Sequence, residues 1–123
     1  MLFRSDFPVI DSQAIENLRA LNPGDNDEFL REIAGIFLED TPLRIAELDQ
    51  SLNAGDVPKF IRAAHSIKGS SANLGAMALR AVAEKLEQQA RKDGVNGGAA
   101  FVADIKAEFT RAQVELTKLI QPR

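Results

Sequence analysis

The only histidine of the chain, His65, lies in the segment AAHSIKGSSANLG, three residues before Lys68 and four before Gly69. A neutral imidazole keeps a lone pair on one ring nitrogen and can act as a nucleophile. A lysine one helical turn away can offset the charge of an anion placed on that nitrogen. Phosphoryl transfer needs in-line positioning and charge stabilisation more than acid–base chemistry. A phosphoryl group is therefore the natural candidate for the anion.

Helical spacing predicts that this histidine faces solvent. Apolar and small residues at intervals of three and four mark one buried face of the surrounding helix: Phe60, Ala63, Ile67, Ser71 and Leu74. At about 100° per residue, His65 lies close to opposite Ile67 and Leu74. Lys68, Gly69, Ala72 and Ile61 share its side of the helix, so small residues flank an exposed imidazole and one ammonium.

Gly69 calls for an explanation other than helix stability. A glycine inside an exposed helix costs about 1 kcal/mol relative to alanine. The close approach of another molecule is the explanation that we infer. Without these neighbours, a single histidine would most simply be a residue with no task, and Lys68 a solvated helix lysine.

Apolar residues recur along the whole chain at intervals of three and four residues, which predicts that the elements positioning these residues are all helices. Asp11 is a plausible N-cap for a short helix over about 11–22, and the bundle occupies about 25–120. Pro42 should kink or break the long helix that precedes the histidine helix. The helix that carries His65 begins near Asp56 and reaches about Asn73, with Gly75 as a left-handed cap. Four helices joined by short turns predict an antiparallel up-and-down four-helix bundle with a short extra N-terminal helix.

Length and composition limit the classes of function. A chain of 123 residues is most simply one domain, over 1–123, and its 45% hydrophobic and 27% charged residues are typical of a folded globular protein. The absence of cysteine excludes disulfides, thiolate nucleophiles and cysteine-based metal sites. A net charge of -3 without a basic patch predicts no nucleic-acid partner. No apolar run could cross a bilayer, and Asp6 interrupts any signal peptide, so we expect a cytoplasmic protein without membrane insertion.

The run HSIKGSSANLG, from His65 to Gly75, resembles the signature of histidine-containing phosphotransfer (HPt) domains of two-component phosphorelays. The segments FLEDTPLRIAELDQSLNAGD and LRAVAEKLEQQAR also resemble that family's second and fourth helices. The resemblance implies that His65 accepts a phosphoryl group, on Nε2, from a receiver-domain aspartate and passes it to another receiver. Lys68 would stabilise the phosphoryl charge, and Gly69 would leave room for the partner. The implied docking patch also includes Ile61, Ala72 and Arg62.

In some members of that family a polar side chain on the following helix, often an amide, orients the phosphoacceptor ring. The corresponding residue here is Glu87, a carboxylate. A solvated or helix-pairing glutamate is the expected interpretation, and ring orientation is the alternative.

The resemblance also implies partners and a cofactor arrangement. Receiver domains and a hybrid sensor histidine kinase would be the partners, and Mg²⁺ would belong to the receiver, so no intrinsic cofactor is expected. The sequence has no Walker-type phosphate loop, which predicts a carrier without ATP-dependent kinase activity. We expect a monomer, and Met1 with the first helix favours a free-standing protein over a segment of a hybrid kinase.

Other interpretations stay open at this point. A helical adaptor would explain the fold but would leave His65, Lys68 and Gly69 as coincidences. A module could also bind receivers or kinases without transferring phosphate. An enzyme that uses His65 as a general base or metal ligand is a weaker hypothesis, because no convergent acidic cluster or second histidine accompanies it.

Overall fold

Four long helices pack side by side in chain order, each against the next and the last against the first. The computed structural model describes residues 7–121, and that part of the chain is helical without strands. Its helices are α1 (Ser12–Leu21), α2 (Glu28–Ala54), α3 (Val57–Asn73), α4 (Met77–Asp93) and α5 (Gly98–Ile120). The packed pairs are α2 with α3, α3 with α4, α4 with α5 and α5 with α2, and α1 packs on α2. Short turns between packed neighbours make successive helices antiparallel, which confirms the predicted bundle.

The helices share one apolar core along the bundle axis. The predicted inner face of α3 is confirmed, since Phe60, Ala63, Ile67, Ser71 and Leu74 are all buried. Leu48 on α2 and Leu86 on α4 are completely buried against it. Phe37 and Phe109 bring their rings to 5.8 Å between centroids and so connect α2 with α5.

Local sequence explains where the helices begin and end. Asp11 caps α1 by accepting a hydrogen bond from the backbone N–H of Gln13 at 3.0 Å. Asp56 caps α3 in the same way, accepting from the N–H of Lys59 at 3.2 Å. Gly55 ends α2 in the left-handed region, with φ of 69°. These caps set the entry of α3, the helix that carries His65.

Pro42 lies inside α2, and the helix continues through it without a break. Of the two predicted outcomes, the break is therefore wrong. A proline in a helix interior costs one hydrogen bond and a steric clash with the preceding turn. Here Phe37 and Thr41 before it, and Ile45 after it, are all buried in the bundle. Packing on both sides of the proline thus holds the two halves in one helix.

The N-terminal segment is fixed to the turn between α3 and α4. Gly75 has φ of 71°, which confirms its predicted role as a left-handed cap. The N–H of Asp11 donates to the carbonyl of Gly75 at 2.7 Å, and the N–H of Ala78 donates to the carbonyl of Pro8 at 3.0 Å. A Cβ added at Gly75 would lie 2.6 Å from that of Ala14. The turn therefore needs glycine for both its conformation and its packing.

Candidate functional site

His65 lies in the middle of α3 and points away from the core, as the helical spacing predicts. Its side chain is 64% exposed, whereas the neighbouring residues Ala64 and Ile67 are completely buried. The backbone of α3 is fixed by packing on both α2 and α4. The imidazole is thus presented to solvent from one of the most firmly packed helices of the bundle.

The carboxylate of Glu87 on α4 lies beside the imidazole. Its Oε2 lies 3.1 Å from His65 Nδ1, and its Oε1 lies 2.7 Å from Lys68 Nζ. Only 6% of the Glu87 side chain is exposed, so the expectation of a solvated glutamate is wrong. Glu87 instead joins α4 to α3, which agrees with the helix-pairing interpretation and places its carboxylate where it can also orient the ring.

Glu87 stays ionised despite its burial. Desolvation by itself would raise the pKa of this carboxyl, because burial penalises the charged form. The contacts with Lys68, Arg91 and His65 act in the opposite direction and together lower the pKa of Glu87 from 4.5 to about 2. The site therefore holds a carboxylate, which can accept hydrogen bonds but cannot donate them.

Arg91 completes the cluster, and sequence reasoning missed it. Its guanidinium donates a hydrogen bond to Glu87 Oε2 at 2.8 Å, across one turn of α4. A signal was present in the sequence, since Arg91 follows Glu87 by four residues, the spacing at which opposite charges pair on a helix. Two cations and one histidine therefore share a single buried carboxylate.

Gly69 lies one turn after His65 on the exposed side of α3. A Cβ added there would meet no atom within 4 Å, and the backbone does not have positive φ. Neither packing nor conformation within this chain therefore requires a glycine. That observation agrees with the inference that the space above Gly69 is for another molecule.

The remaining predicted docking residues differ in exposure. Arg62 is exposed, and Ile61 and Ala72 are half-buried. Ile61 packs against the hydrophobic core, so only part of its side chain is available at the surface. The immediate neighbours of His65 thus provide a smaller apolar surface than the sequence suggested.

A larger apolar surface lies on the other flank of α3, in a groove between α1, α2 and α3. Its volume is about 300 Å³. The residues that line it are Leu18, Ile33, Ile36, Phe37, Asp40, Ser70, Asn73 and Leu74. Ile36 is 59% exposed and was not among the predicted docking residues. Ser70 and Asn73 belong to the turn of α3 that follows Gly69, so the groove begins next to Gly69.

Residues 7–121 contain neither a cluster of metal ligands nor a helix that could span a membrane. Nowhere in that range do three or more His, Cys, Asp or Glu side chains form a group that could hold a metal ion. None of the helices described there combines the length and the apolar character that a membrane span requires.

Comparison with known proteins agrees with the geometry. The family model of the Hpt domain matches residues 32–115, which include α3 and the whole cluster around His65. Multistep phosphorelay regulator 1 of Schizosaccharomyces pombe is 32% identical over 93 residues, which are 73% of this chain. Those residues are only 32% of the yeast protein, so this chain corresponds to about a third of that relative.

Two further relatives match nearly end to end. Histidine-containing phosphotransfer protein 4 of Arabidopsis thaliana is 25% identical over 114 residues, 91% of this chain and 89% of the plant protein. The crystal structure of histidine-containing phosphotransfer protein B from Pseudomonas aeruginosa superimposes with a TM-score of 0.82 at 27% identity, covering 91% of this chain and 94% of that one. The chain belongs to the Hpt domain family, whose function is histidine phosphotransfer in phosphorelays.

Proposed function

We propose that this chain carries a phosphoryl group on His65, accepting it from the aspartate of one receiver domain and delivering it to the aspartate of another. The observation that carries the proposal is the pairing of an exposed imidazole with a buried, ionised carboxylate, 3.1 Å from Nδ1 to Glu87 Oε2. A surface histidine without a function would not require a buried, ionised carboxylate beside its ring. The family match supports the same class of function.

The pairing with Glu87 selects the nitrogen that reacts. Because an ionised carboxylate can only accept, the ring proton lies on Nδ1 and is donated to Glu87 Oε2. The lone pair of the neutral ring is then on Nε2, the nitrogen away from Glu87. Nucleophilic attack from Nε2 needs no base to remove a proton first.

The transfer step forms one bond to phosphorus and breaks one, and both bonds belong to His65 and the receiver aspartate. The Nε2 lone pair forms the new P–N bond, the P–O bond of the aspartyl phosphate breaks, and its electron pair returns to the aspartate carboxylate. The ring gains positive charge while Nδ1 keeps its proton, and the Glu87 carboxylate stabilises that charge. In the reverse direction the same proton makes the ring a better leaving group. Lys68, one turn along α3 from His65, supplies positive charge for the phosphoryl oxygens.

The receiver domain would cover both His65 and the groove between α1, α2 and α3. Ser70, the residue after Gly69, lines the groove, and the open space at Gly69 lets a partner backbone approach the ring. Exposed Ile36 supplies apolar area beyond that of half-buried Ile61 and Ala72. A partner with an apolar surface beside its aspartate fits this arrangement.

The remaining parts of the proposal concern what the chain does not supply. Mg²⁺ would enter with the receiver, and the chain would be a carrier without ATP-dependent kinase activity, since the sequence has no Walker-type phosphate loop. It would act in the cytoplasm as a monomer that exchanges phosphate with receivers and a sensor kinase. The groove also supports a second candidate function, a module that docks receivers or kinases without transfer.

The deciding experiment incubates the chain with Mg²⁺ and receivers carrying radiolabelled aspartyl phosphate. We expect label on the wild type that is acid-labile and base-stable, and none on His65→Gln. The exposed position of His65 means that this variant should keep the helical content and melting temperature of the wild type. Label that persists on His65→Gln would disprove the assignment. Receivers that bind the wild type but never label it would favour the docking module.

A further inference from the structure

The three partners of Glu87 hold it in different ways. Arg91 donates an aligned hydrogen bond to Oε2 at 2.8 Å, and His65 Nδ1 contacts the same oxygen. Lys68 Nζ lies 2.7 Å from Oε1, the other oxygen of the carboxylate. Arg91 therefore binds the oxygen that also contacts His65 and does so from the same helix as Glu87, whereas Lys68 binds the other oxygen from α3.

Phosphorylation of His65 would create a second anion within reach of Lys68. A phosphoryl group carries a charge of about −1.5 to −2 at neutral pH and offers three strong acceptor oxygens. Lys68 is three residues from His65 on the same helix, and its ammonium is a compact charge on a flexible stem. The phosphoryl group and Glu87 must then compete for one ammonium. If Lys68 leaves, a carboxylate with only 6% of its side chain exposed would lose its partner at Oε1.

We propose that Arg91 is a positioning residue that keeps Glu87 bound and oriented while Lys68 moves from Glu87 Oε1 to the phosphoryl oxygens. Arg91 is suited to this role because it lies on α4 with Glu87 and reaches the oxygen that also accepts from His65. Its guanidinium therefore keeps the His65–Glu87 contact intact in both states. The inference rests on the proposed function, and it assigns different tasks to the two cations of the site.

The test uses phosphoramidate, a small donor that phosphorylates histidine without any receiver. The Nε2 lone pair forms the P–N bond to His65, the P–N bond of phosphoramidate breaks, and ammonia leaves. Arg91→Gln is compared with Lys92→Gln, which removes the same charge from the adjacent exposed residue of α4. Arg91→Lys is the conservative variant. Because 61% of the Arg91 side chain is exposed, each variant should fold, which circular dichroism checks.

Two measurements follow the reaction: the initial rate of phosphorylation, and NMR signals of the Lys68 ammonium and the His65 ring nitrogens. In the wild type, phosphorylation should shift the Lys68 ammonium signal while Nδ1 keeps its proton. In Arg91→Gln, Lys68 should stay with Glu87, so its signal should shift less and the rate should fall by about three- to tenfold. Lys92→Gln should match the wild type, and Arg91→Lys should recover at least half of the lost rate.

Four results would overturn the inference: a Lys68 signal that does not move in the phosphorylated wild type, equal rates in Arg91→Gln and Lys92→Gln, no recovery in Arg91→Lys, or a wild type that phosphoramidate does not label. Failure of the proposed function would look different. In that case phosphoramidate would label His65 with the expected dependence on Arg91, but no aspartyl-phosphorylated receiver would do so.

Discussion

The two flanks of α3 differ in what they place beside His65. On the flank that faces α4, a buried carboxylate is held by Lys68 and Arg91 through contacts of 2.7 and 2.8 Å. On the flank that faces α2, the surface is an apolar groove with exposed Ile36 and a few polar groups at its edge. One flank is built from charge and short contacts, and the other from apolar area and open space.

This difference suggests a division between chemistry and recognition. Groups that orient a ring and stabilise a developing charge act through short contacts with defined geometry. Docking of a whole domain depends instead on apolar area and shape complementarity. Variants on the α4 flank should therefore change the reactivity of His65, and variants on the α2 flank should change affinity for receivers.

The first prediction concerns stability at low pH and the charge of Glu87. Its pKa is about 2 in the folded chain against an ordinary 4.5, so the folded state favours the ionised form. The stabilisation is complete above pH 4.5 and is lost as the pH falls towards 2. A shift of this size corresponds to a contribution on the order of 3 kcal/mol to the free energy of unfolding.

Urea unfolding of the wild type and of Glu87→Gln across this pH interval measures that contribution. The two proteins share every other carboxyl group, so the difference between the two stability curves isolates Glu87. The wild type should lose more stability than the variant as the pH falls. Parallel curves would show that the α4 flank does not hold a strongly stabilised charge.

The second prediction concerns the groove, through Ile36→Ala. Truncating an exposed apolar side chain at an interface should raise the Kd for a receiver by about tenfold, equivalent to about 1.4 kcal/mol. The rate of labelling by phosphoramidate should not change, because that reaction needs only the α4 flank. Receiver titrations and labelling rates on the same preparations give both numbers.

Val114→Ala is the matched control for this variant. Val114 is an exposed apolar residue of α5, and it does not line the groove. It should leave both the receiver affinity and the labelling rate unchanged. Equal losses of affinity in the two variants, or an unchanged affinity in Ile36→Ala, would mean that receivers do not use the groove.

The sequence predicted features that follow from helical periodicity alone. The buried face of α3 and the exposure of His65 both result from a rotation of about 100° per residue, which needs no knowledge of the neighbouring helices. The burial of Glu87 depends on how closely α4 approaches α3, and the pattern of one helix does not determine that distance. A hint was present, since the buried residues Ala83 and Ala90 flank Glu87 at four residues before and three after it.

The groove was harder to predict than the charged cluster. It combines residues from three helices, and Leu18 reaches it only because α1 is fixed at the turn around Gly75. Ile36 lies on the exposed side of α2. Nothing in the sequence distinguished it from an exposed apolar residue without a function. Surfaces made by several elements depend on tertiary packing, which single-helix patterns do not specify.

The smallest expected effect concerns Gly69, which lies beside the ring at the border of the two flanks. Gly69→Ala should stabilise the isolated chain by up to about 1 kcal/mol, because alanine is the better helix former and its Cβ would meet no atom within 4 Å. The same methyl group should weaken receiver binding by a few-fold, since it occupies space that the partner needs.

Gly35→Ala is the control, because Gly35 is also in a helix with open space at its Cβ and does not line the groove. It should give a similar stabilisation without loss of affinity. Thermal unfolding and receiver titration of both variants separate the two effects, and Gly69→Ala with undiminished affinity would remove the reason to place the partner above Gly69.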